Sequence, residues 1–78
     1  MESISTLQGQ YLAFIAAYRK LNRRAPAEAD FQRFFQVSPP SVHNMIVTLE
    51  RRGLIKRTPG QARSIEIAVP TDVVPPLE

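Results

Sequence analysis

The stretch Ser38-Pro39-Pro40-Ser41-Val42-His43-Asn44 constrains this chain more than any other, because it dictates where a helix must begin. A serine side chain accepts from the free N–H groups of a first helical turn, and proline suits the first helical position, where its missing N–H has no partner to lose. At about 100° per residue, Val42, Met45, Ile46 and Leu49 gather on one side of that helix. Pro40, Asn44, Val47 and Arg51 form the opposite spine, flanked by Ser41, His43 and Thr48. Gly53 supplies left-handed backbone at least cost and stops the helix, which is predicted to span about 39–52.

The residues on either side complete an architecture. Ser5 and Gln8 make a capping-box pair, and Tyr11, Leu12, Ile15 and Tyr18 recur at helical spacing, with Leu7, Phe14 and Leu21 widening the apolar arc. A first helix over roughly 5–22 follows, its end carrying Arg19, Lys20, Arg23 and Arg24, where positive charge suits the helix dipole. Ala25-Pro26 breaks the direction. A second helix over roughly 27–36 places Phe31, Phe34 and Phe35 inward, with Glu28 and Asp30 at its start and Ala27 as a poor cap. Gln36-Val37 forms a tight turn, with Val37 expected to fill the corner before the third helix. Beyond Gly53, Leu54 to Arg57 and Ser64 to Val69 form a hairpin around the Pro59-Gly60 turn. The expected fold is therefore mainly α with a small β-hairpin: three helices plus a two-stranded antiparallel wing, a winged helix-turn-helix over residues 1–70. A proline-rich tail, 71–78, follows, and its Leu77-Glu78 matches an expression-vector remnant.

Composition limits what such a domain can do. At 78 residues there is room for one small domain, and with 44% hydrophobic and 22% charged residues it should fold. With no cysteine, stability must come from packing, no cysteine-bearing zinc site is available, and a reducing cytoplasm fits. No apolar run approaches the roughly 20 residues that cross a bilayer, and the start, Met1-Glu2-Ser3, lacks a positive signal region. One histidine, three glycines and scattered acids give neither a catalytic pair nor a phosphate loop, so no enzyme, metal or cofactor is expected. All ten Lys and Arg residues fall between Arg19 and Arg63 with only Glu28, Asp30 and Glu50 among them, a net +7 that suggests a polyanionic partner. The six aromatics lie on the inward stretches of helices one and two, which disfavours single-stranded RNA.

The outer face of the third helix has chemistry suited to a major groove. Asn44 can donate and accept together, as adenine requires; His43 can donate to guanine or a phosphate; Ser41 is small and adaptable; Val47 can meet a thymine methyl or a second protomer. In the wing, Arg57, Gln61 and Arg63 are placed to meet the DNA backbone, as Arg51 is at the helix end.

From about Ser5 to Val69 the chain resembles the DNA-binding domain of the LexA repressor family. The resemblance rests on the capped first helix, Asp30-Phe31 in the second, Ser38-Pro39 opening the third, the exit Arg51-Arg52-Gly53-Leu54-Ile55, and the wing return Arg63-Ser64-Ile65. It implies that Ser38, Pro40, Ser41, His43 and Asn44 occupy base-reading positions. Pro40, His43 and Asn44 replace the residues typical there, so a different operator is expected. The family's self-cleaving serine-lysine domain has no counterpart in these residues, which points to a stand-alone regulator that binds double-stranded DNA as a homodimer. The alternative is a winged helix that docks a protein partner, with an incidental basic face.

Overall fold

The computed structural model describes residues 3–78, so Met1 and Glu2, part of the start inspected for a signal, lie outside them. Its elements are α1 (Thr6–Asn22), α2 (Glu28–Phe35), α3 (Pro39–Arg51), β1 (Ile55–Lys56), β2 (Glu66–Ile67) and a single 3₁₀ turn, Thr71–Val73. Three helices and a two-stranded antiparallel sheet make a winged helix, as the sequence predicts.

Each boundary has a local cause. Ser5 caps α1 reciprocally with Gln8: the Gln8 N–H donates to Ser5 Oγ at 3.1 Å, and the Ser5 N–H donates to Gln8 Oε1 at 3.2 Å. Arg23, in left-handed conformation, closes the other end by donating its N–H to the Arg19 carbonyl. Helix α2 solves its poor cap differently. The Asp30 carboxylate at N3 reaches back to accept the Ala27 N–H at 2.7 Å, the half of a capping box that does not need a polar N-cap side chain. Helix α3 ends in paired bonds from Gly53 N–H to the Glu50 carbonyl and from Leu54 N–H to the Leu49 carbonyl, with Gly53 at φ +76°. This C-terminal motif turns the chain directly into β1, where Ile55 pairs with Ile67 and Lys56 with Glu66.

The core lies where the helices meet the sheet. Leu12 and Ile15 of α1, Phe31 of α2, and Val42, Ile46 and Leu49 of α3 are fully buried, joined by Leu54, Ile55 and Ile65. Burying each such side chain contributes about 1.5–3 kcal/mol, so the three residues of α3 fix which face of that helix points inward. Tyr11 stacks on Phe35 with centroids 4.5 Å apart, and Phe14 lies against Phe31 and Phe34.

Four expected core placements differ. Phe34 is 46% exposed, because in an eight-residue helix it sits at the edge of the face that Phe31 defines and lies over Phe14 from outside. Val37 is 38% exposed, since left-handed Gln36 turns the chain outward and the Val37 N–H closes on the Gln32 carbonyl. Leu21 is 81% exposed, beyond the last neighbour that could cover it, and Leu7 is half exposed.

The tail is not loose. It runs back along α1, where the Gln10 side chain donates to the Pro76 carbonyl at 2.9 Å and accepts the Glu78 N–H at 2.8 Å. Val74 and Leu77 pack on the core, and Pro75 lies over Gly9 so closely that a Cβ there would come within 2.9 Å of its ring. Gly9 is thus the floor of the tail's seat. Gly9→Ala should leave α1 intact, since alanine is the better helix former by about 1 kcal/mol. It should nevertheless release residues 74–78, seen as lost amide protection there with unchanged protection in α1.

Candidate nucleic-acid interface

Helix α3 projects its tip and outer spine from the body. Its N-cap Ser38 accepts the Ser41 N–H at 3.3 Å, and the two hydroxyls lie 2.9 Å apart, which orients both at the helix tip. Ser38, Pro40, Ser41, His43, Asn44, Val47 and Arg51 are all exposed, whereas Val42, Ile46 and Leu49 are buried behind them. Thr48 is half-buried, and its hydroxyl donates to the Asn44 carbonyl at 2.9 Å, so it is spent within the helix. The Arg51 side chain has no hydrogen bond or ion pair among the described residues.

The wing loop is built around Thr58-Pro59-Gly60-Gln61. The Gln61 N–H closes on the Thr58 carbonyl with Gly60 at φ +75°, and the Ser64 hydroxyl ties the base by accepting the Thr58 N–H at 3.0 Å. Gln61 stands exposed at its tip. Arg57, at the wing entrance, donates through Nε and Nη2 to Glu50 Oε1 at 3.2 and 2.8 Å, and its Nη1 lies 3.8 Å from Glu28 Oε2. The paired Arg57 guanidinium holds the Glu50 carboxyl below its ordinary value. His43 Nδ1 faces the same Glu28 oxygen at 3.4 Å. One acid of α2 therefore touches both the third helix and the wing.

A family model described as the LexA DNA binding domain matches residues 1–64 of the chain. LexA repressors from Thermosipho africanus and Thermosipho melanesiensis are each 31% identical over 67 residues, covering 86% of this chain and 34% of theirs. The LexA repressor of Petrotoga mobilis is 36% identical over 58 residues, covering 73% of this chain and 28% of its own. The chain belongs to the LexA DNA-binding domain family. It spans about a third of the length of the curated relatives it matches.

Within this LexA-type domain the structure leaves exposed eight of the residues singled out from the sequence: seven on the α3 tip and spine, and Gln61 on the wing. It separates Arg63 from them. Arg63, at φ +53°, turns its guanidinium inward to donate to the Ala25 carbonyl at 3.2 Å, Tyr18 Oη at 3.3 Å and Asp30 Oδ2 at 3.1 Å. Here Arg63 serves as a brace for the buried Asp30 carboxylate and does not project from the wing as expected. Arg57 is likewise engaged by acids rather than projecting. Arg52 is a brace too, bonding Gln8 and the Ser3 carbonyl at the start of α1. Sequence spacing could not have shown the part Glu28 plays, since it lies 15 positions from His43 and meets it only through the α2–α3 turn.

Burial pushes the Asp30 carboxyl upward, but the Ala27 N–H and the Arg63 guanidinium outweigh it and hold the group below its ordinary value. A carboxyl lowered on folding gives stability that is complete above its unfolded value and disappears as pH falls through the folded one. Acid should therefore loosen the α2–wing junction below about pH 4. Asp30→Asn is expected to lower stability at neutral pH by roughly 1–3 kcal/mol and to flatten the acid limb, as read from urea midpoints between neutral and strongly acid pH.

Proposed function

We propose that this chain is a sequence-specific double-stranded DNA-binding transcriptional regulator, with α3 entering the major groove and the wing lying along the flanking backbone. What carries the reading is the outer face of α3. It offers hydrogen-bonding groups at its tip, an exposed apolar Val47 along its spine and Arg51 without an internal partner, and its inward face is fixed by the core. The roles divide by chemistry. Asn44 offers a donor and an acceptor to one adenine, Ser41 and Ser38 adapt to neighbouring groups, and Val47 meets a thymine methyl. Pro40 shapes the tip, and Arg51 and Gln61 touch phosphates and set register. The Thr48 hydroxyl stays with Asn44. LexA repressors are the named relatives, so repression is the regulatory sense favoured for this chain.

One copy presents a small reading surface, and two copies on an inverted repeat would supply the affinity that one lacks. Selection from a randomised duplex pool, followed by sizing of the complex, tests target and stoichiometry together. With Arg57 and Arg63 engaged internally, about three phosphates per protomer are neutralised, so log affinity should fall with log salt at a slope of roughly −3 per protomer. Arg51→Glu should weaken cognate and random duplex alike and flatten that slope by about one. Asn44→Ala should instead cost about 1–3 kcal/mol on the cognate site alone and relax preference at a single base position. Affinity indifferent to salt would contradict the assignment.

A further inference from the structure

Glu28 stands beside the α3 tip, between His43 and the wing. It extends from the first turn of α2 with its Oε2 3.4 Å from His43 Nδ1 and 3.8 Å from Arg57 Nη1, and its side chain is 37% exposed against 59% for His43. An ionised carboxylate only accepts, so the imidazole nitrogen that faces it must carry the hydrogen. A neutral imidazole has one hydrogen to place, and with that hydrogen on Nδ1 the outer nitrogen, Nε2, has a free lone pair. The ring exposed at the α3 tip is then an acceptor. This changes the chemistry expected of His43 from its sequence position, which was donation to guanine or to a phosphate.

Resting on the DNA-binding reading above, we propose that Glu28 is a positioning residue for base recognition: by fixing the His43 hydrogen on Nδ1 it makes Nε2 select a base bearing an exocyclic amine, cytosine or adenine, in the major groove. Guanine O6 and N7 and thymine O4 are acceptors and offer this nitrogen nothing, and so do phosphate oxygens. Arg57 lies on the wing side of the same oxygen, its Nη1 3.8 Å away, so the Glu28 carboxylate stands between the α3 tip and the wing. Glu50 in turn secures Arg57. The α3 tip would thus carry two differently built readers: Asn44, whose amide supplies both polarities itself, and His43, whose polarity is set by a residue of another helix.

Two measurements at about pH 8, where imidazoles of ordinary pKa are neutral, test it. The chain has a single histidine, so ring nitrogen-15 resonances of the free protein report His43 without ambiguity. The wild-type ring should be the Nδ1–H tautomer, and Glu28→Ala should return it to the Nε2–H form that free imidazoles favour; an Nε2–H ring in the wild type overturns the inference before any DNA is added. In the second, duplexes changed one base pair at a time from the selected site are titrated with wild type, His43→Ala, Glu28→Ala and the double variant. At the position that His43→Ala flattens, the wild type should prefer the amine-bearing base roughly ten-fold. Glu28→Ala should reduce that to less than about three-fold, with no further loss in the double variant and the Asn44 position unaltered. A wild-type preference for guanine or thymine there, a preference untouched by Glu28→Ala, or an equal loss at every position overturns it. A ring with the expected tautomer in a protein that binds no duplex overturns the DNA-binding reading and the base selection with it, which separates that failure from a wrong tautomer.

Discussion

The buried Asp30 carboxylate is the point on which the arrangement of helices and wing depends. It receives the Ala27 N–H that starts α2 and the Arg63 guanidinium that closes the wing, and through Arg63 it is linked to Tyr18 and the Ala25 carbonyl at the α1 exit. Three stretches of chain, α1, the turn into α2 and the wing, meet at one charge. A carboxylate only 7% exposed is tolerable because those donors, with Arg33 Nη2 on its other oxygen at 2.5 Å, are in place, and losing one would leave the charge less well solvated. The wing is short, with two residues per strand, and could not hold its position by sheet hydrogen bonds alone. Arg63 supplies what the ladder cannot.

That brace changes how the basic segment should be understood. The net +7 between Arg19 and Arg63 counts every cation alike, whereas the structure divides them by task. Arg19 donates to the Ile65 carbonyl, Arg33 and Arg63 serve Asp30, Arg52 ties α3 to the start of α1, and Arg57 is shared between Glu50 and Glu28. Arg51 at the α3 end and Lys56 at the wing entrance stay exposed. Charge that looks from the sequence like a uniform footprint is thus divided: five of the ten cations also brace the fold, while Lys20, Arg23, Arg24, Arg51 and Lys56 stand exposed.

Much of this was legible in the sequence because the signals are local. The Ser5–Gln8 pair, Ser38-Pro39 and Gly53 each satisfy backbone groups within a turn, so residue type alone places the helix ends within a residue or so. The buried and exposed faces of α3 follow from periodicity in the same way. What the sequence hid is contact at a distance. Arg63 meets Asp30 across 33 positions, His43 meets Glu28 across 15, and Gln10 clasps the tail across 66 and 68. A basic residue in a wing and a basic residue bracing a buried acid are the same letter. Val37 and Phe34 misled for a related reason: apolar residues at element edges are buried only if a neighbour covers them, and the outward turn at Gln36 removes the neighbour.

The central claim is that the outer face of α3, whose inward face is fixed by the core, meets the duplex. Backbone amide shifts recorded while a selected duplex is titrated into the labelled protein test it most directly. Perturbation concentrated in residues 38–51 and 57–63, with the tail seat around Gln10 and Pro76 unmoved, is the predicted result. Perturbation centred on α1 and the tail, with the α3 tip silent, would contradict the account.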